Sequence, residues 1–180
     1  MRWTRQLTED VVLRPVTLED AAALATAYAD SWLHLAPWEP ERPASWFTAD
    51  GQRREVEAHQ RATGEGAGLW LVLVEQTTVV GRVSLTGIVR RAFQSANLGY
   101  WTAATHTGRG LMTRAVDAAA AIARDELGLH RLQAGTLLHN TASQRVLRRC
   151  GFTEIGVAER YLRIGGRWQD HRLFQRILHD

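Results

Sequence analysis

Hydrophobic and polar positions along this chain follow two rhythms, and the change between them falls near residue 110. Before it, apolar residues come in short blocks bounded by turn residues. Val11-Val12-Leu13-Arg14-Pro15-Val16 predicts a first strand, and Thr17-Leu18-Glu19-Asp20 has the form of a capping box opening a helix through Tyr28. Ser31 to Ser45 carries Trp32, Pro37, Trp38, Pro40 and Pro43, which break regular structure; a second helix is expected from about Gln52 to Ala62. The glycines of Gly64-Glu65-Gly66-Ala67-Gly68 lead into the β-rich run Leu69 to Val74. Thr78 to Val89 and Ala96 to Thr102 read as further strands, joined around Gln76-Thr77 and through Arg90 to Ser95, which predicts an antiparallel meander.

From Gly110 the spacing becomes helical, with Leu111, Ala115, Ala118, Ala119, Ile122, Ala123 and Leu127 on one face and Gly128 as the stop. His130 to Leu138 follows as a strand, Ala142 to Arg149 as a short helix ended by Gly151, and the tail as two strands around Gly165-Gly166. This order predicts an α+β fold with one mixed sheet. With neither an internal repeat nor a linker, one domain is expected over 1–180, its core about 10–178.

Composition narrows the classes. A chain of 180 residues, 45% of them hydrophobic, builds one core and is short for two. Its longest apolar runs, Leu69 to Val74 and Ala118 to Ala123, fall well below the roughly 20 residues of a membrane span. Met1-Arg2-Trp3-Thr4-Arg5 is basic but has no apolar stretch behind it, so no secretory signal is read, and a cytoplasmic protein without a membrane partner is expected. The lone Cys150 rules out an internal disulfide or a cysteine metal cluster and reads as a small buried apolar side chain. All 22 basic residues are Arg, against 19 acidic ones, a net charge of +3. They are dispersed apart from Arg145, Arg148 and Arg149, a pattern that suits one phosphorylated ligand and argues against direct nucleic-acid binding. The 7 His residues lack zinc-ligand spacing, so no metal is expected.

Two constellations carry candidate chemistry. Leu98-Gly99-Tyr100-Trp101-Thr102 runs through a short loop into Thr107-Gly108-Arg109-Gly110-Leu111-Met112-Thr113, at the start of the clearest helix. Helix starts leave N–H groups unpaired, so glycines there make either a pyrophosphate cradle or simply a tight turn with a cap. In the second, His139-Asn140-Thr141-Ala142-Ser143-Gln144, Thr141 and Gln144 have capping-box spacing. Ser143 is then free either to satisfy local backbone or to donate a proton to a leaving thiolate.

Together these pieces resemble the RimJ/RimL branch of the GNAT superfamily, the ribosomal-protein N-terminal acetyltransferases and their relatives. The likeness rests on NLGYWTAATHTGRGLMTRAV, LGLHRLQAGTLLHNTASQRVLRRCGF and YLRIGGRWQDHRLF, with weaker likeness in LRPVTLEDA and GRVSLTGI. It implies a mixed, mostly antiparallel sheet of about seven strands flanked by about four helices, splayed at an acetyl-CoA site. It implies direct acetyl transfer to a primary amine in a ternary complex, without a metal. By the resemblance the pantetheine arm pairs with the strand at Tyr100, Trp101 and Thr102, and the pyrophosphate sits on Thr107, Gly108, Arg109, Gly110, Leu111, Met112 and Thr113. Asn140 contacts the cosubstrate, and Ser143 lies near the CoA sulfur. Thr107 and Met112 depart from the family's usual loop, and main-chain contacts survive such changes while side-chain reach at Thr107 does not. Leu162 stands where a related enzyme type has a glutamate base.

The base therefore stays open among His139, Glu159, His34 and Glu39, with Tyr161 as a second candidate donor. Trp32, His34, Trp38 and Glu39 are candidates for the acceptor wall, Trp32, Trp38 and Trp46 reading equally as core. His171 reads as structural. The tail looks most like the ribosomal-protein-alanine members, so the leading acceptor is a peptide or protein N-terminus, such as a ribosomal protein's. The alternatives are a small amine (antibiotic or metabolite) and a non-catalytic CoA-binding module. Monomer and homodimer fit the sequence equally.

Overall fold

The computed structural model describes residues 2–180. Its strands are β1 (Arg5–Gln6), β2 (Val11–Pro15), β3 (Gly68–Glu75), β4 (Thr78–Val89), β5 (Ser95–Thr102), β6 (Arg131–Leu137), β7 (Thr153–Ile164) and β8 (Arg167–Ile177). The helices are α1 (Ala21–Leu35), α2 (Ala49–Gly64), α3 (Leu111–Asp125) and α4 (Thr141–Arg149). The strands form a sheet in the order β1-β2-β3-β4-β5-β6-β8-β7. Every neighbouring pair is antiparallel except β5 and β6. The α+β expectation holds; the eighth strand is the two-residue β1, too short to show alternation.

Both faces of the sheet are covered, which is why β3 reads as an unbroken apolar run. Leu69, Leu71 and Leu73 of β3 pack in one core with Leu111, Ala115, Ala119 and Ile122 of α3 and Leu147 of α4. The intervening Trp70, Val72 and Val74 pack on the other face with Leu24, Tyr28 and Leu35 of α1 and Val56 of α2.

Local chemistry moves several boundaries. Helix α1 was expected to stop at Tyr28 but runs to Leu35, because Leu24, Tyr28, Ser31 and Leu35 recur on its buried face and the first proline is Pro37. The Thr17 amide does donate to Asp20 Oδ2, at 2.8 Å, but this closes a 3₁₀ turn over Leu18–Asp20, and α1 begins at Ala21. Buried Asp20 also takes a two-pronged bond from Arg14, at 2.8 and 2.7 Å. Burial alone would raise its pKa; the Arg14 and Thr17 bonds hold it below the ordinary aspartate range. Helix α2 starts at Ala49, ahead of the expected Gln52, since Thr48 Oγ1 accepts the Gly51 N–H at 3.1 Å.

The His59 ring stacks on Trp70 with centroids 4.4 Å apart and an interplanar angle of 15°. Burial, reinforced by Arg82, pushes its pKa down to about 4. An unfolded histidine titrates near roughly 6.5, so between those values the unfolded chain binds the extra proton. This contribution to stability is complete above that unfolded value and is lost as pH falls toward the folded one. The melting temperature is expected to drop across this window, and His59→Phe, which keeps the stack, is expected to flatten the drop; equal declines in both proteins would contradict it.

Candidate functional site

Strands β5 and β6 pair only through Ser95–Asn97 and Arg131–Gln133. Beyond that point β5 stays on β4 as far as Thr102, while β6 stays on β8 as far as Leu137, so the sheet opens between them. Ala103 N–H donates to Val80 O on β4, and Gly99 O accepts from Ser84 Oγ, so these peptide groups face β4. Alternation turns the peptide groups of Leu98, Tyr100 and Thr102 toward the gap. A cavity of about 680 Å³ lies there and reaches both faces of the sheet.

Helix α3 meets the gap N-terminus first. Gly110 caps it at φ 72°, and Gly108 sits at φ 76°. No side chain caps this end, and the N–H groups of Leu111, Met112 and Thr113 find no acceptor among the described residues. Such N–H groups converge with the positive end of the helix dipole on whatever anion enters. The preceding loop is tied down from β3: Glu75 accepts from Arg109 at 2.9 Å and lies 3.1 Å from His106 Nε2. The His106 bond, then that of Arg109, holds the Glu75 carboxyl below its usual range. Thr107 Oγ1 donates to Ala104 O at 3.1 Å.

Helix α4 closes the far wall. Its cap is Asn140, whose Oδ1 accepts the Ser143 N–H at 3.1 Å, rather than the expected Thr141–Gln144 box. Gln144 instead donates to Leu137 O and Leu138 O at 3.3 and 3.0 Å, joining the helix to the end of β6. Ser143 Oγ lies 2.7 Å from the Tyr100 hydroxyl across the gap. Burial raises the Tyr100 pKa far above its ordinary value, so that hydroxyl keeps its proton at any physiological pH. Thr136 Oγ1, buried and lining the cavity, has no partner. Its register places it level with Tyr100, on the same face.

Of the candidate residues, Tyr100, Trp101, Thr102, Thr107, Gly108, Gly110, Leu111, Met112, Thr113, Asn140 and Ser143 line this cavity, as do His34, Trp38 and Glu39. Trp101 does so from the core, its indole N–H donating to Tyr28 OH at 2.7 Å. Five candidates lie elsewhere. Arg109 turns to Glu75, Trp32 packs edge-on against Phe47 at 5.0 Å, and exposed His139 lies tilted beside Trp38 at 5.3 Å. Glu159 is exposed on β7, and Tyr161 packs against His171 at 5.5 Å. Trp46, the alternative wall residue, is core, edge-on to Tyr28 at 5.3 Å. Cys150 is buried, its thiol pushed up to about 12, first by burial, and Sγ lies 3.4 Å from Thr113 O, so it offers no thiolate for a covalent intermediate.

Arg145 and Arg149, from the basic cluster that suits a phosphorylated ligand, line the cavity too, whereas Arg82, Ser84 and Thr136 were not singled out in the sequence. A signal existed for two of them: Arg82 interrupts an apolar β4 run, and Thr136 is the polar member of the Leu132, Ala134, Thr136 face. Among the described residues no group of His, Cys, Asp and Glu is placed to hold a metal.

Free N–H groups at a helix start, a strand edge open to amide groups and a hydroxyl pair beyond it suit a transferase whose donor is a phosphorylated molecule with an amide-bearing arm. The chain belongs to the GNAT acetyltransferase family: the model of the acetyltransferase (GNAT) domain matches residues 10–153. It is similar to the ribosomal protein uS5-alanine N-acetyltransferase of Escherichia coli (strain K12), 32% identical over 171 residues, 94% of this chain and 88% of that protein. The ribosomal-protein-S5-alanine acetyltransferase of Vibrio fischeri superposes with TM-score 0.94 at 30% identity, covering 98% of this chain and 97% of that one. RimJ of Mycobacterium smegmatis, solved with CoA-disulfide, gives TM-score 0.88 at 32% identity over 93% of this chain and 81% of its own. The protein is a GNAT N-acetyltransferase using acetyl-CoA, and its free N–H groups and orphaned Thr136 hydroxyl fit that cosubstrate.

Gly108→Val and Gly110→Val test the cradle. Space around both positions is open, so the cost is backbone strain of roughly 1–2 kcal/mol. Each is expected to weaken acetyl-CoA binding at least about tenfold by calorimetry while the protein stays folded. Unchanged affinity in a folded variant would contradict the cradle.

Proposed function

We propose that the acceptor is the α-amine of a protein or peptide N-terminus, acetylated in the cytoplasm by direct attack in a ternary complex. The observation that carries this reading is the charge of the acceptor-side wall. Arg42 and Arg82 line it against one carboxylate, Glu39, which is already paired with Arg42. A polycationic small amine finds no acidic cleft there, whereas a peptide end brings a single amine and neutral amide groups. Leu162 lines the cavity where a carboxylate base would suit a more basic amine. An α-amine of pKa roughly 8 is about a tenth neutral at pH 7; a lysine amine at about 10.4 costs more than about 3 kcal/mol to neutralise. The kinship with ribosomal-protein-alanine acetyltransferases points the same way.

In this reading the free N–H groups of α3 hold the pyrophosphate, and Arg145 and Arg149 add positive charge along the same wall. Leu98, Tyr100 and Thr102 offer gap-facing peptide groups to the pantetheine amides. Acetyl-CoA supplies an activated acetyl group as a thioester. A gap-facing N–H on β5 meets the oxygen that becomes negative as the amine attacks. Ser143, fixed by Tyr100 and by its own capped N–H, donates a hydrogen bond to the departing thiolate, and the protonated Tyr100 hydroxyl holds Ser143 in place.

Thiol release from acetyl-CoA across peptides beginning with Ala, Ser, Met or an acidic residue tests the acceptor, beside N-blocked peptides, aminoglycosides and polyamines. Turnover is expected with free peptide N-termini. Turnover of a small amine with silence on every free N-terminus would overturn the proposal, and CoA binding without turnover of any amine would indicate a binding module. Ser143→Ala is expected to lower kcat about ten- to a thousandfold with acetyl-CoA affinity little changed. Parental turnover in that variant would remove Ser143 from the mechanism.

A further inference from the structure

The cavity crosses the sheet, and the register shows where. Asn97 pairs with Gln133, so two residues further along each strand Gly99 of β5 and Gly135 of β6 stand level across the gap. Both line the cavity, and neither carries a side chain. Their Cα hydrogens face the α1 side, because Tyr100 and Thr136, one position on, face α4. At this level the gap is a window joining the face that holds Tyr100 and Ser143 to the face walled by His34 and Trp38.

Three side chains stand over Gly135 on the acceptor face, the apolar Leu173, whose Cδ2 would lie 3.5 Å from a Cβ there, and two that carry polar groups, Tyr161 and His171. A Cβ placed on Gly135 would lie 3.6 Å from Tyr161 Cε1 and 3.7 Å from His171 Cδ2. His171 pairs with Leu137 of β6 and Ala158 of β7, is 4% exposed, and lines the cavity. Its Nδ1 lies 3.0 Å from Gln169 O. A carbonyl oxygen only accepts, so Nδ1 carries a hydrogen, and in the neutral ring the lone pair is on Nε2. Nε2 has no partner among the described residues. The β7 bulge helps to shape this corner: Glu159, Arg160 and Tyr161 together oppose Asp170, with Arg160 at φ 49° and its N–H donating to Asp170 Oδ1 at 2.9 Å.

We propose that His171 Nε2 takes the proton from the acceptor amine at the Gly99–Gly135 window. The amine nitrogen forms its bond to the thioester carbonyl carbon and passes one proton to Nε2. The C–S bond breaks with its electron pair going to sulfur, and CoA leaves as a thiolate that accepts a hydrogen bond from the Ser143 hydroxyl, while the imidazolium at His171 returns its proton to solvent. The competing candidates are worse placed: Glu39 is paired with Arg42, His34 is exposed, and His139 and Glu159 do not line the cavity.

This inference rests on the amine acetyltransfer proposed above, so its test uses acceptor peptides that the parent enzyme turns over. His171→Gln keeps a polar group but accepts no proton. It is expected to lower kcat about a hundredfold or more, with acetyl-CoA affinity and melting temperature near parental. Tyr161 from β7 packs on His171, Gly135 and Leu137 from β6 bring no charge, and Arg82, His34 and the Glu39–Arg42 pair line the other parts of the cavity. All remain in the variant, so its deficit is expected to shrink above pH roughly 9, where a free α-amine has already lost its proton. Added imidazole is expected to restore part of the activity of His171→Ala, which no purely structural role would allow. A His171→Gln enzyme within about threefold of the parent at pH 7, or a deficit independent of both pH and imidazole, would overturn the proposal for His171 while leaving the acetyltransferase reading intact. A parent silent on every peptide would overturn both.

Discussion

Everything at the site depends on the sheet letting one pair of strands come apart. β5 and β6 form the sheet's parallel contact, and each is bound more extensively to its antiparallel neighbour on the other side. The twist that separates them therefore breaks few bonds. It leaves gap-facing peptide groups that a bound amide chain can satisfy, and buried polar groups left unpaired cost of order 1–3 kcal/mol each. The open edge is thus a binding surface by default.

Other elements hold that opening in shape. Gln144 fastens α4 to the end of β6, Asn140 caps the same helix, and Ser143 reaches across to Tyr100 on β5, so the two diverging strands are connected through α4. On the opposite flank, Glu75 at the end of β3 grips His106 and Arg109 and sets the loop that feeds α3. Gly108 and Gly110, at positive φ, turn that loop so that α3 presents its first N–H groups to the cavity. The site is a gap framed by two helix starts, each held from a strand.

The sequence made visible whatever depends on neighbours along the chain. The α3 face, the Gly-Arg-Gly turn and the β3–β5 meander followed from spacing alone, and the family likeness supplied the splay. What stayed hidden joins residues distant in sequence. Tyr100 and Ser143 are 43 residues apart, and Glu75 lies 34 residues from Arg109; no local pattern records either bond. The length of α1 was obscured because Trp32 and the following prolines suggested a break before the buried face had ended. His171 read as structural since its place at the window depends on the pairing of β6 with β8 and on a bulge in β7. Trp32 and Trp46 left the acceptor wall for the same reason: which tryptophans are core is decided by α1 and β5 packing together.

CoA is expected to lie along the open edge of β5 and on the start of α3, and amide hydrogen exchange with and without CoA tests this residue by residue. New protection is expected at Leu98, Tyr100 and Thr102 and at Leu111, Met112 and Thr113, with little change at Gly99, Trp101 and Ala103, whose N–H groups face β4. Saturating CoA that leaves the first set unprotected, or protects both sets alike, would contradict it.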